Sequence, residues 1–526
     1  MYRQRFGART QTSVALLWTA AGALLGGLTG CGGGGAGGGG SIAGGIEPVA
    51  NLLQPFAQPG SGETFGESEA RHLLRRIAFS APQAEVDRCV RDGLSRTVDR
   101  HLDQGADTAA ERDANALIED VTKPGLWELQ RSWLSLMVRT KSPVREKMGL
   151  FWHQRLAVSG RMLGESNMRW TQEYRDLLRN QGLGNYRTLL KALTKNGAML
   201  VWLSGLPSDK EHPNENYARE FWELFTLGTD VRYTQADITE SARALTGWDS
   251  AYDETTELES LVFNADAHDD GSKTILGQTG TWREDDVVDL TLATPEAATF
   301  LARRLLEGLC YKNPPQELVD EIAVAAPAHD WELKPLVRTI VKSKAFFSAP
   351  ARKTQVADPV VEMVGLARTT QIPLEWWELL ESAEAMGQLP LDPPSVKGFP
   401  QGLGWSGEQA LLDRARMADT LAGKTDVTRP SDPNEKDHVF VHHLLPAGDA
   451  NGKIGGAATV DFLAHLLDIT LTADERKACV DYMDTLPDDA GNLVASPFDG
   501  NIEDQVEIKV RGLLSILAQH PDAMKN

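Results

Sequence analysis

A mainly α-helical body is predicted by three observations. Apolar residues recur at the three- and four-residue spacing of a helix through most of the chain after residue 65. Several of these runs carry helix start and stop signals. Alternating, strand-like patterning is confined to a short excursion around residues 249–282. In order, the pattern predicts helices over 67–78, 82–92, 94–102, 127–139 and 143–159. The last is opened by Ser142 as N-cap with Pro143 in the first helical position. A helix over 213–227 stops at Gly228, and Thr234-Gln-Ala-Asp237 is a capping box for a helix that stops at Gly247. Further helices are predicted over 295–309, 315–325, 333–343, 359–370, 409–421 and 508–520. Residues 426–455, rich in Pro, Asp, Asn and Gly, read as loop, and 437–444 within them as a short strand. No repeat of fixed period is present.

The first 30 residues have the pattern of an export signal. Arg3, Arg5 and Arg9 make a positive start, with no acidic residue before Glu47. Residues 14–28 are apolar but interrupted by small residues, too short and too glycine-rich for a spanning helix of about 20 apolar residues. The stretch ends in Leu28-Thr29-Gly30-Cys31, which resembles the lipobox read by bacterial lipoprotein-processing enzymes. Residues 1–30 are therefore expected to be a lipoprotein signal peptide, with Cys31 carrying lipid and anchoring the chain to a membrane. Residues 31–64 begin CGGGGAGGGGS and are expected to form a flexible tether with an end-to-end distance of roughly 30 Å. Gly32, rather than Asp, after the cysteine points to the outer membrane of a bacterial envelope, with the body in the periplasm or at the cell surface. Residues 65–526 then form the body.

The chain carries a formal charge of −21, and losing the three leader arginines would bring it to −24. Such a body repels nucleic acid and anionic lipid, so no nucleic-acid partner is expected. Cys89, Cys310 and Cys479 lack metal-site or redox spacing and read as packing residues.

Long ordered motifs narrow the reading. NENYAREFWELFTLG from Asn214, YTQADITESARALTGW, and HDDGSKTILGQTG resemble the bacterial family called domain of unknown function 1800. RHLLRRIAFSAPQAEVD, SPVREKMGLFWHQRLAVS, FLARRLLEGL, and MGQLPLDPPSVKGFP with Trp405 after it match in order, so the resemblance runs from about Phe65 to Ala422. It implies an exported, largely helical protein without a settled activity. It also implies a partner, because genes of the family neighbour those of a second exported family, domain of unknown function 1501, which looks sulfatase- or phosphatase-like. Phe221, Trp222 and Phe399 depart from the family's usual residues, and 423–504 reads as an unmatched, loop-rich insert.

On an ideal helix over 213–227, Asn216, Arg219, Glu220 and Glu223 fall within about 100° of arc. Such a face fits a solvated surface laced by an Arg219–Glu223 pair. It also fits a functional cleft: two carboxylates one turn apart can share a metal or a proton, with Arg219 orienting an anionic substrate. His268-Asp269-Asp270-Gly271-Ser272-Lys273 fits either a turn or a ligand-bearing loop. Together Glu220, Glu223, His268 and Asp269 would make an oxygen and nitrogen set suited to a divalent Mg, Mn, Fe or Zn. Glu220, Glu223, His268, Asp269 and Arg219 are the candidate catalytic residues. Asn214, Asn216, Lys273, Trp152 and His153 are candidate binding residues, although a histidine on an apolar helix such as His153 is more often a satisfied core residue. Asp449-Ala-Asn451-Gly452 reads as a turn rather than a calcium loop, since the later ligands are missing.

No nucleophile elbow, zincin motif, P-loop, dinucleotide fingerprint or haem-attachment motif occurs. Two functions remain: a metal-assisted hydrolase or lyase acting on an extracellular polymer, or a non-catalytic surface scaffold working with the sulfatase-like neighbour.

Overall fold

The computed structural model describes residues 51–58, 60–206, 208–229, 231–256, 258–372, 376–423, 441–488 and 492–525. The leader, Cys31 and most of the glycine-rich run lie outside the described residues. The fold is mainly α, with short two-stranded antiparallel sheets. It divides into two compact units, a larger one within Pro48–Arg368 and Glu375–Ala410 and a smaller one within Thr369–Leu374 and Leu411–Lys525.

In the larger unit most predicted helices form where the pattern puts them. Glu67–Ala78 and Pro295–Leu309 match to the residue. Residues 83–102 form one element, Gln83–Leu102, kinked at Gly93, where φ is +75°. The capping box is real: Thr234 Oγ1 accepts from Asp237 N, and Asp237 Oδ2 accepts from Thr234 N at 2.8 Å. Gly228 follows the C-cap of its helix with positive φ and so ends it without a Cβ penalty, whereas the Gln235 helix stops at Ala244, three residues before Gly247, which also takes positive φ. The helix expected over 143–159 is shorter, Pro143–His153, and its end tightens into a 3-10-type bond from Arg155 N to Trp152 O. Ser142 stands at its N-cap position, but its hydroxyl donates to Gly105 O and caps nothing.

Several helices escape the sequence pattern. Tyr186–Leu193 and Gly197–Trp202 are short and are started by Asn185 and Asn196, whose side-chain oxygens accept from Thr188 N and Met199 N. Met168–Gln181 is dominated by polar residues, yet its few large apolar ones, Trp170, Tyr174 and Leu178, are buried. The excursion contains two hairpins. Strand β1 (Trp248–Asp253) pairs with β2 (Leu258–Phe263), and β3 (Lys273–Ile275) with β4 (Gln278–Gly280).

The body begins before residue 65. Pro55 bridges to Ser343, Phe56 N donates to Lys342 O at 2.8 Å, and the Phe56 ring stacks on Phe347 at 4.5 Å. The end of the expected tether is thus packed chain: Glu63 pairs with Lys344 at 3.0 Å.

The smaller unit is no mere loop. It contains helices Gly456–Leu466 and Ala473–Asp484, a hairpin of β5 (Thr485–Pro487) and β6 (Leu493–Ala495), and a π turn Val506–Val510 leading into helix Arg511–Ala518. His442–Leu444 is a 3-10 turn and not a strand, while 437–440 lie outside the described residues. Asp449 does form a turn, its carboxylate accepting from Asn451 N and Lys453 N.

Candidate functional site

The motif segments around residues 215, 235 and 270 fold into one hydrogen-bonded module. Helix Gln235–Ala244 is its spine. On one side, Gln235 Nε2 and Thr239 Oγ1 donate to the two oxygens of Glu215 at 2.7 Å each, and Arg219 Nη2 donates to Gln235 Oε1 at 2.9 Å. On the other side, residues three apart along the helix grip the following chain. Asp237 accepts from Leu276 N at 2.7 Å and Glu240 from Thr274 N at 3.2 Å, while Arg243 holds Asp269 through two bonds of 2.6 and 3.1 Å. Residues spaced by three share a helix face, so one stripe of side chains latches the whole loop and the β3–β4 hairpin. Leu276 needs that latch, because its φ of +50° is costly for a residue with a Cβ.

This module accounts for most of the polar residues singled out in the sequence. Asn214 caps the helix Glu215–Glu220, and both Asn214 and Asn216 donate to Leu203 O. Arg219 lies 4.0 Å from Glu223 but is better engaged by Gln235 and by Glu215 at 3.6 Å. Asp269 serves as the counter-ion of Arg243. The Arg243 hydrogen bonds hold its carboxyl below the ordinary range, against a smaller effect of burial. Lys273, 1% exposed, donates to the carbonyls of Asp269 and Gly271 and shapes the loop from within. Burial is the first cause holding its ammonium below the ordinary lysine range, with Asp269 opposing. The latch was missed in the sequence because Arg243 looks like an ordinary surface residue of its helix.

Trp152 and His153 are structural. Trp152 Nε1 donates to Gly182 O, and its ring stacks on Tyr186 at 5.5 Å. His153 is fully buried. Tyr174 Oη donates to Leu156 O at 2.6 Å, leaving its oxygen to accept from His153 Nδ1 at 3.0 Å, while His153 Nε2 accepts from Leu391 N at 2.9 Å. Both ring nitrogens are used, the imidazole is neutral, and burial pushes its pKa down to about 3. Phe399 packs edge-on against the same ring at 5.6 Å.

Three groups are left over. His268 is 4% exposed and bonded through Nδ1 to Thr246 O at 2.9 Å, which leaves Nε2 with only a 3.8 Å approach to Asp270. Glu220 and Glu223 are half-buried, and the helix changes character between them: Glu215–Glu220 is α, Phe221–Thr226 is π. The wider turn rotates Glu223 away from its place on an ideal helix, and such π segments often mark functional positions. It also seats Trp222, 0% exposed, with Nε1 donating to Thr291 Oγ1 at 2.9 Å. Among the described residues the Glu220 carboxylate has no hydrogen-bond or ion-pair partner. Burial, and then the Glu223 charge, hold it above the ordinary carboxylate range, with Lys397 and Arg219 opposing.

The four residues expected to share a divalent metal do not gather. Among the described residues, the group of three or more His, Cys, Asp or Glu whose ligand atoms lie within 4.8 Å of one another is Glu85, Cys89 and His101. Asp269 is turned into Arg243 instead. At the Glu85 group a cation is already in place: Arg100 Nη2 lies 2.6 Å from Glu85 Oε1 and 3.7 Å from Cys89 Sγ. All three described cysteines are buried and free.

A family model described as protein of unknown function (DUF1800) matches residues 72–524. The chain belongs to this family. The limits of the DUF1800 match enclose 423–504. No curated protein and no solved structure matches the chain. In this DUF1800 protein the segments around residues 215, 235 and 270 build the latch, and the residues the latch leaves unused are Glu220, Glu223 and His268 Nε2.

Proposed function

We propose that this DUF1800 protein is a lipid-anchored protein of the bacterial envelope whose body performs acid–base chemistry with Glu220, on an extracellular polymer, by hydrolysis or elimination. One observation carries the catalytic part: a half-buried carboxylate without a partner, facing a like charge at a π turn. A carboxyl held above the ordinary range keeps its proton to higher pH than a free one and can donate it to a leaving oxygen, while a neighbouring carboxylate activates water or removes a proton. Glu223, 4.0 Å from Arg219, takes the role of base. The motif-rich latch holds the helix that carries both, which fits the general need for a rigid support under reacting groups. A divalent metal is not needed for this chemistry, and the separated ligand set speaks for acid–base rather than metal-assisted cleavage at this place. The anchoring part is supported by the charge, apolar core and Leu-Thr-Gly-Cys end of the leader.

The test is a panel of envelope and extracellular polysaccharides offered to the purified body and to Glu220→Gln and Glu223→Gln. Loss of turnover by roughly 100-fold or more in both, with folding intact, is the expected result. Full activity in Glu220→Gln would sink the catalytic reading. If no substrate turns over and an exported DUF1501-like protein co-purifies equally with both variants, the scaffold reading replaces it. Cys31→Ser is expected to move the protein from the membrane to the soluble fraction.

A further inference from the structure

A second polar site lies in the larger unit, away from the module just described in its chemistry: it gathers cations in an acidic protein. The pocket is lined by Arg76, Lys147, Arg155 and Lys312, together with Gln154, Gly308, Gln355, Asp358 and Glu307. Arg76 is 6% exposed and donates to the carbonyls of Gly308 and Cys310 at 3.3 and 2.9 Å. Lys147 Nζ is buried and has no hydrogen-bond partner, and its nearest compensation is the face of Phe79 at 4.7 Å. Arg155 lies over the Phe151 ring at 3.7 Å and donates through Nη1 to Phe151 O, while its Nε is buried and unbonded. Lys312, at the rim, donates to Gln401 Oε1 at 2.6 Å.

The two carboxylates that line the pocket are committed elsewhere. Asp358 accepts from Gln154 Nε2 at 2.7 Å and from Trp405 Nε1 at 3.1 Å, and Glu307 lies 3.5 Å from Arg304. Among the described residues none of the four cations is within 4 Å of a carboxylate. Gly308 makes the crowding possible, since a Cβ there would lie 2.3 Å from the Phe151 ring and 3.1 Å from Arg155 Nη2.

Buried cations without counter-ions are costly, and a fold keeps them where a ligand supplies the missing charge. The chemistry of the donors defines that ligand. A guanidinium and an ammonium converging in a small, polar, solvent-connected recess suit a compact tetrahedral oxyanion with oxygens on several sides, better than a flat carboxylate held by one arginine fork. We propose that this pocket binds a phosphate or sulfate group, with Lys147, Arg155 and Arg76 as its ligands and Lys312 as the rim residue that meets it first. The recess recognises the oxyanion shared by a free ion and the terminal ester of a larger molecule.

The experiment is calorimetric titration of the body with inorganic sulfate, inorganic phosphate and phenyl phosphate, repeated on Lys147→Met and Arg155→Gln. Wild-type protein is expected to bind sulfate and phosphate, and each variant to lose affinity by at least tenfold. Phenyl phosphate binding as tightly as phosphate identifies an ester terminus, and its exclusion identifies the free ion. Because Lys147→Met removes an uncompensated charge, it is expected to fold and to melt no lower than wild type without added anion. It should also lose the rise in melting temperature that sulfate gives wild type. Absence of binding in wild type at millimolar anion, or equal binding in both variants, overturns the proposal. Loss of this site leaves the Glu220 reading untouched, since the polysaccharide panel is scored without added anion.

Discussion

Two clusters of buried cations in the larger unit are handled in opposite ways. Around Arg179, 7% exposed in its side chain, three carboxylates converge: Glu146 by two bonds of 2.7 and 3.0 Å, Glu111 at 2.8 Å and Asp176 at 3.1 Å. Trp133 Nε1 adds a bond to Glu146 at 2.9 Å. Burial alone would lower the Arg179 pKa, but Glu146 and the other carboxylates raise it above the ordinary arginine value. Around Lys147 the same fold gathers cations and brings no carboxylate of the described residues within 4 Å of them, although Asp358 and Glu307 line the same pocket. Burial, then Arg76, brings the Lys147 ammonium down to about 7 with only Asp358 opposing, and burial, then Arg304, brings Arg155 to about 9. A cluster that is closed on itself fixes helices together; a cluster left open on one side marks a place for something else. Glu220 belongs to the second kind and Asp269 to the first.

The largest effect that sharpens this contrast is Glu146→Ala. It removes the most buried partner of Arg179, which keeps Glu111 and Asp176, and strands the Trp133 N–H, and should cost about 3 kcal/mol in denaturant unfolding. A loss under about 1 kcal/mol would break the claim that this cluster is structural. Asp269→Ala frees Arg243 and the Gly271 amide at a partly exposed position, and should cost about 1–2 kcal/mol in the same assay.

Lys147→Met should change stability in the other direction, by on the order of 1 kcal/mol at pH 7. The pH dependence has a definite sign. A lysine whose folded pKa is lowered penalises the fold fully below about pH 7, and the penalty is lifted as pH rises from there toward the ordinary lysine value near 10.5. Wild type should therefore gain stability across that window relative to Lys147→Met, and a flat difference would contradict the assignment.

Glu220→Gln is the smallest of the four. Its carboxyl is held above the ordinary range by burial and then by the Glu223 charge, so ionisation destabilises the fold and the variant should be slightly more stable than wild type at pH 7, an effect that solvent screening keeps small. The gain should vanish below about pH 4, where both states are protonated. A destabilised variant at pH 7 would place Glu220 with the structural carboxylates.

Much of the fold was legible because helix signals are local. The Thr234 capping box, the glycine stop at Gly228, and the apolar faces of 67–78 and 295–309 all act within a few residues of one another. The helices that escaped are those with weak periodicity or side-chain caps before very short runs, such as Asn185 and Asn196. The site was less legible for a different reason. Charges were read by their neighbours on one helix, whereas Asp269 is answered by Arg243, 26 residues away, and Arg76 by carbonyls more than 230 residues away. The π turn at Phe221 also moves Glu223 off the ideal wheel on which its role was first judged. One signal of the cationic pocket was present: Lys147, Phe151 and Arg155 recur every four residues on one helical stripe.

The most direct test of the contrast is a crystal structure of the body grown with sulfate. An oxyanion within hydrogen-bond reach of Lys147 Nζ and the Arg155 guanidinium, with Arg179 still enclosed by its three carboxylates, is the expected result. A pocket without the anion, in which Asp358 or Glu307 has turned to pair with Lys147, would show that the two clusters are closed alike and would contradict the account.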